Sequence, residues 1–178
     1  MKSRISVMAK VRVSKELSMK IPKTFVGLAG EYLVLSRLTA LGLLASLTPR
    51  NAETVDIFVM SKNGDISWTI QVKSRLYGPD ANEWEIDESF RNNSNPNLIY
   101  CFVDLYHKPA TVYVIPSKKV AEVASEAHSA WMKKPKRDGT KRTLHSRPKL
   151  KDNFIVDIKS APDGWMNKYW EKWDIFSE

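Results

Sequence analysis

Two carboxylates, an amide and an ammonium in this sequence have spacings that could bring them together: Glu31, Asp56, Gln71 and Lys73. Val55, Ile57 and Val59 alternate with Asp56, Phe58 and Met60, and Ile66, Trp68, Ile70 and Val72 alternate with Ser67, Thr69, Gln71 and Lys73. Each run reads as a strand. Asn63-Gly64 stands between them as a strong short-range hairpin signal. A two-residue turn there, without a bulge, places Asp56 directly opposite Gln71, with Cα atoms about 4.5 to 5.5 Å apart. Lys73 lies two residues further along the same face, because side chains alternate along a strand. Glu31 falls between Leu28 and Leu35 on the apolar face of a helical stretch, where an unpaired carboxylate is costly.

These side chains suit the hydrolysis of a phosphodiester. Mg²⁺ takes hard oxygen ligands and keeps several waters, so Glu31 and Asp56 suffice as carboxylates, with the Gln71 amide oxygen and the Val72 carbonyl as further ligands. Such an ion polarises a phosphate and lowers the pKa of a bound water. Lys73 can orient that water and meet developing negative charge. A plainer reading of the same residues is a surface salt bridge between Asp56 and Lys73 with Gln71 beside it, and Glu31 paired with Arg37 or another base.

The elements that must position them follow from periodicity. A helix is expected from Thr24–Gly27 to about Leu41, with Leu28, Glu31, Leu35 and Leu38 on one face and Gly42 as its stop. After the hairpin, residues 74–97 read as a long irregular stretch, with Glu83, Glu85, Asp87 and Glu88 as a solvated acidic run. Leu98–Leu105 and Thr111–Ile115 read as buried strands. A helix capped by Ser117 runs to about Met132, with His128 and Trp131 read as packing, and Phe154–Ile158 as a last strand. Trp165, Tyr169, Trp173 and Phe176 place one aromatic stripe on a C-terminal helix. The order α, β, β, β, β, α, β, α describes a mixed sheet with helices, α/β or α+β.

The length of 178 residues fits one domain over residues 24–178, preceded by a basic arm over residues 1–23. A mean hydropathy of −0.37 describes a water-soluble chain, and its apolar stretches are too short to span a bilayer. The lone Cys101 excludes an internal disulfide and a thiolate zinc site, and a reducing cytoplasm is the expected compartment. The net charge of +8 is unevenly spread. Residues 1–23 carry +6 and residues 133–151 carry +8, around a body of −6. Two such segments suit a polyanion, and Lys133, Lys134, Lys136, Arg137, Lys141 and Arg142 are the candidate contacts to a DNA backbone. Solvated basic loops with no partner are the alternative.

The stretches Gly27-Leu-Ala-Gly30-Glu31, Leu41-Gly42, Val55-Asp56-Ile57-Phe58-Val59 and Ile70-Gln71-Val72-Lys73-Ser74 resemble the PD-(D/E)XK, or restriction-endonuclease-like, nuclease superfamily. More narrowly, the sequence looks like the branch whose lysine motif reads Gln-X-Lys, which includes a group I intron homing endonuclease of cyanobacteria. Archaeal Holliday-junction resolvases share the same order of motifs. The likeness covers residues 27–75 and implies a mixed β-sheet flanked by helices, with core order α-β-β-β-α-β. It further implies Mg²⁺-dependent cleavage of duplex DNA, with Mn²⁺ as a substitute, and a homodimer or higher oligomer. On that reading Asp56 matches the metal-binding aspartate, Lys73 the catalytic lysine and Glu31 the first-helix glutamate. Gln71 replaces the usual Glu or Asp, and Val55 stands at the motif's proline. A neutral Gln71 weakens the hold on a metal, which leaves a non-catalytic DNA-binding protein with a decayed site as the alternative.

Overall fold

In a computed structural model of the protein, the described residues are 11–12, 21–49, 55–76, 83–86, 95–136, 138–142, 149–154 and 157–177. Nine strands occur among them: β1 (Val11–Arg12), β2 (Leu44–Leu47), β3 (Ile57–Met60), β4 (Ser67–Arg75), β5 (Glu83–Glu85), β6 (Leu98–Asp104), β7 (His107–Lys108), β8 (Thr111–Pro116) and β9 (Lys149–Lys151). Five of them form the central sheet, in the order β2-β3-β4-β6-β8. Its neighbours are antiparallel except β4 and β6, which run parallel. A parallel pair needs a crossover, and the long segment after β4 supplies it. That segment is not wholly irregular. β5 pairs antiparallel with β9, Trp84 opposite Leu150, and both side chains are buried. Glu83 is no free acid either, since it forms ion pairs with Lys149 and Lys151.

Helix α1 (Lys23–Ala40) covers one face of the sheet and α2 (Ser117–Lys133) the other. This is the mixed α/β (α+β) architecture expected from the order of elements. The α1 side gathers Val34 and Leu38 with Ile57, Ile70, Val72, Ile99 and Cys101. The α2 side gathers Val120, Val123 and Ala124 with Tyr100, Phe102, Ile115 and Trp84. β6 is buried along its whole length, as a strand covered on both faces must be. Cys101 lies within it, and burial, followed by the charge of Glu171, pushes its thiol far above the usual range. Such a thiol is unreactive.

α1 ends where Gly42 was expected to stop it. Gly42 has φ 78°, its N–H donates to the Thr39 carbonyl at 2.9 Å, and the Leu43 N–H donates to the Leu38 carbonyl at 3.2 Å. This Schellman closure favours glycine. The buried line of α1 differs from the expected one: it is Val26, Gly30, Val34 and Leu38, not Leu28, Glu31, Leu35 and Leu38. Gly30 is the reason. A Cβ on it would lie 1.7 Å from Ser74 Oγ and 2.9 Å from Ser74 Cβ. The helix therefore rests its backbone on β4 at this residue, and Glu31 moves to the border of the buried line.

Three further expectations change. Ser117 is not the cap of α2. It is the first helical residue, after Pro116, and its hydroxyl donates to the Asn95 carbonyl at 3.0 Å. The strand expected over Phe154–Ile158 falls partly outside the described residues, and the strand here is β9. The C-terminal stripe is not one helix. Two short 3₁₀ turns, η1 (Trp165–Tyr169) and η2 (Trp173–Phe176), are separated by Glu171 at φ 46°. Trp165 and Met166 enter the α2-side core, whereas Phe176 enters the α1-side core. The chain crosses between them at the edge of β8, where the Glu171 N–H donates to the Val112 carbonyl at 2.8 Å. Among the described residues, no helix is long and apolar enough to cross a membrane.

Candidate active site

The β3–β4 hairpin keeps the expected register, with Ile57 opposite Ile70 and Met60 opposite Ser67. Its turn is longer than expected. The Ser61 N–H donates to the Ile66 carbonyl at 2.8 Å, and the Gly64 N–H donates to the Ser61 carbonyl at 3.0 Å. Residues 62–65 thus form the connection, with Gly64 at φ 80°. A four-residue loop centred on Asn63-Gly64 has the same symmetry as a two-residue one, so the pairing is unchanged.

The ladder stops one residue short of Asp56, and that stop shapes the site. Asp56 lies in a bend before β3. Its N–H donates to the Ile70 carbonyl at 2.8 Å, and its Oδ2 accepts the Val72 N–H at 2.6 Å. From the other side, Thr48 holds the same peptide. Its N–H donates to the Asp56 carbonyl at 3.0 Å, and its hydroxyl donates to the Val55 carbonyl at 2.6 Å. Asp56 is therefore not squarely opposite Gln71. Its carboxylate replaces the missing strand against the β4 backbone, one residue from Gln71 and one from Lys73. The N–H and C=O of one residue leave an extended strand by the same edge. The Val72 carbonyl thus points to the side on which β3 has ended, where Asp56 sits.

Gln71 and Lys73 project from the face of β4 that also carries their β6 partners, Tyr100 and Phe102. Gln71 is buried, at 5% exposure, and Lys73 is half-buried. Glu31 approaches from the α1 side. Gly30 before it rests on Ser74 and Val72, and Glu31 Oε1 lies 4.0 Å from where a Cβ on Gly27 would be. Of the two glycines in the Gly27-Leu-Ala-Gly30 stretch, Gly30 makes room for β4, whereas a side chain at Gly27 would meet Glu31 only at ordinary contact distance. Asp56 and β4 meet at the notch left by the end of β3, whereas Glu31 stands on the α1 side of the sheet and Gln71 and Lys73 project on the side of Tyr100 and Phe102.

The donor chemistry around this notch fits a hard divalent cation. It offers carboxylate, amide and backbone carbonyl oxygens, and the Val72 N–H fixes the orientation of one carboxylate. No group of three or more His, Cys, Asp or Glu is gathered among the described residues, so any such site would have at most two carboxylates beside neutral oxygens.

The basic segment after α2 is described in part. Lys133, Lys134, Lys136 and Lys141 are exposed, and Arg137 lies outside the described residues. Arg142 is engaged within the chain. Its Nε donates to the Lys134 carbonyl at 2.9 Å, and its guanidinium stacks 4.3 Å from the Trp131 ring centre. Trp131 in turn stacks on the buried His128, so the packing expected for that pair is what the structure shows.

Sequence reasoning missed Thr48, for which the chain carries no local signal. It also missed a cluster at the ends of β4 and β6. Arg75 Nη2 donates to Asp104 Oδ2 at 2.7 Å, and His107 Nδ1 lies 3.1 Å from the same oxygen. Burial pushes the Asp104 carboxyl up, but the Arg75 guanidinium and the hydrogen bonds of Tyr106 and His107 outweigh it and hold the group below its usual range. The i, i+3 spacing of Asp104 and His107 at the end of an apolar run was the available clue.

The five-stranded mixed sheet flanked by helices defines a mixed α/β fold. A solved structure similar to this chain is that of a bacterial homing endonuclease, I-Ssp6803I, with a TM-score of 0.50 over 86% of this chain and 90% of that one. At 14% identity the likeness is one of fold. No protein-family model matches the sequence, and no curated protein matches it.

Proposed function

We propose that this protein is a metal-dependent endonuclease that hydrolyses phosphodiester bonds in DNA. The observation that carries the reading is the Asp56 carboxylate clamped on the Val72 N–H at 2.6 Å, between Gln71 and Lys73, where β3 breaks off. A neighbour in fold that is a homing endonuclease supports it. Asp56, Glu31, the Gln71 amide and the Val72 carbonyl would hold Mg²⁺ or Mn²⁺. The ion would supply Lewis acidity at a phosphate oxygen and a more acidic water. Lys73 orients the attacking water and stabilises negative charge on the phosphate oxygens as the P–O ester bond breaks. Exposed Lys133, Lys134, Lys136 and Lys141 fit backbone contacts to a duplex. A two-fold homodimer would cut both strands symmetrically.

The neutral, buried Gln71 favours a second reading, a DNA-binding protein of the same fold whose site no longer cuts. One experiment separates the two. Purified protein is incubated with supercoiled, linear and four-way-junction DNA, with Mg²⁺, Mn²⁺ or EDTA, beside Lys73→Ala. The expected result is cleavage that needs the metal and is lost in the variant. A preference for the junction would make the enzyme resolvase-like. Cleavage that persists in Lys73→Ala would overturn the assignment, and salt-sensitive binding without cleavage would establish the second reading.

A further inference from the structure

Arg75 stands two residues beyond Lys73 on the same face of β4, about 7 Å further along the strand. It opens the polar cluster with Asp104 and His107, for which the proposed hydrolysis has no use. The cluster is built rather than incidental. Asp104 is 3% exposed, and its two oxygens accept from Arg75, His107 and the Tyr106 N–H, the last at 2.9 Å. The Arg75 guanidinium lies 3.9 Å from the centre of the Trp84 ring, which fixes it from a second side. The His107 side chain remains 29% exposed.

The charges decide what this group can do. Arg75 neutralises Asp104, so the trio is neutral when His107 is neutral and carries +1 when His107 is protonated. Nδ1 faces Asp104, which leaves Nε2 as the nitrogen available to a ligand. In the neutral ring with a proton on Nδ1, Nε2 can only accept; in the imidazolium it donates. An imidazolium with a buried carboxylate behind it is a pre-oriented anion contact. The charged and titratable surroundings are Asp104 from β6, Arg75 from β4 beyond it, and Tyr106, whose ring stands edge-on at 5.3 Å. Tyr113 of β8 lies further off, against the Trp84 ring. Lys108 follows in β7 and is exposed, and Arg12 of β1 is the register partner of His107.

We propose that His107, oriented by Asp104, binds a DNA backbone phosphate flanking the one at Lys73, and does so as the imidazolium. The position rests on the nuclease reading, because Lys73 marks the scissile phosphate. The chemistry of the contact does not. Successive phosphates of one strand lie about 3.4 Å apart along the helix axis, so a cation one cluster beyond Lys73 meets a phosphate one or a few nucleotides away.

The test is the salt dependence of duplex binding by the full chain, read by fluorescence anisotropy in EDTA at about pH 6 and about pH 8, the range in which histidine changes charge. The wild type is expected to bind about tenfold tighter at the lower pH. The slope of log affinity against log salt should be steeper there by about 0.9, the value of one phosphate contact. His107→Gln should bind at both pH values as the wild type does at the higher one, and His107→Lys should bind tightly at both. Melting curves confirm that each variant is folded. A pH response that survives in His107→Gln, or is missing from the wild type, overturns the proposal. Cleavage beside pH-insensitive binding keeps the nuclease and loses this contact. A His107-dependent response without cleavage does the reverse.

Discussion

Asp56 does two things with one carboxylate. Oδ2 closes the hydrogen bonding of the β4 backbone at Val72, and the group also supplies charge at the candidate site. The two roles separate by substitution. Asp56→Asn keeps an oxygen for the Val72 N–H, so it should melt close to the wild type while losing metal-dependent cleavage. Asp56→Ala loses that acceptor as well and should cost a further 1–3 kcal/mol or so, visible in urea denaturation. If both variants melted alike, the Val72 bond would have no structural weight. Gln71 invites the opposite change. Gln71→Glu restores a third carboxylate, and cleavage should then need roughly tenfold less Mg²⁺. The metal-free variant should be less stable, because the new charge lies at a buried position, 5% exposed in the native protein. An unchanged metal requirement would remove Gln71 from the ligand set. At this scale much was legible. Alternation and one Asn-Gly pair brought Asp56, Gln71 and Lys73 together on paper. The break in pairing at Asp56 was not legible, because nothing local in the sequence marks where a ladder gives way to a side chain.

At the scale of elements, the placement of Glu31 depends on how closely α1 lies on β4. Gly30 sets that distance, since a Cβ there would stand 1.7 Å from Ser74 Oγ. Gly30→Ala should cost about 1–3 kcal/mol by overpacking and should tilt the helix that carries Glu31. Ser74→Ala would not relieve it, because the Ser74 Cβ is itself only 2.9 Å from the new methyl. Ser74→Gly should relieve it, so a double-mutant cycle in thermal unfolding ought to show strong positive coupling. Additive losses would mean that the two residues do not meet. The helix itself was readable from its apolar spacing and from Gly42, but its rotation was not. Periodicity marks a wide apolar stripe, and the residue that centres it is a glycine, which carries no hydrophobic signal. The C-terminal turns failed for a related reason. Aromatic residues at helical spacing describe one face, whereas this segment serves two.

For the whole molecule, the Arg75–Asp104–His107 cluster links stability to pH. The folded state holds the Asp104 carboxyl below the unfolded value of about 3.9. Its stabilisation is therefore complete above that value and drains away as pH falls towards the lower, folded pKa. Asp104→Asn should lose roughly 3 kcal/mol or more at neutral pH, the scale on which a buried ion pair fails when one partner goes. Its melting temperature should also fall less steeply than that of the wild type below about pH 4. Parallel acid limbs would show that Asp104 does not titrate as described. The fold class was open to sequence reading because strand and helix periods are local, but the crossing of the tail from one layer to the other was not. That crossing has a consequence for how the molecule comes apart. Trp165 and Met166 hold one core, Phe176 holds the other, and the Glu171–Val112 pair stitches the chain to the sheet edge between them. Two layers that could otherwise loosen separately are joined into a single cooperative unit, and the Val112 and Glu171 amides should exchange their hydrogens only when the whole domain opens.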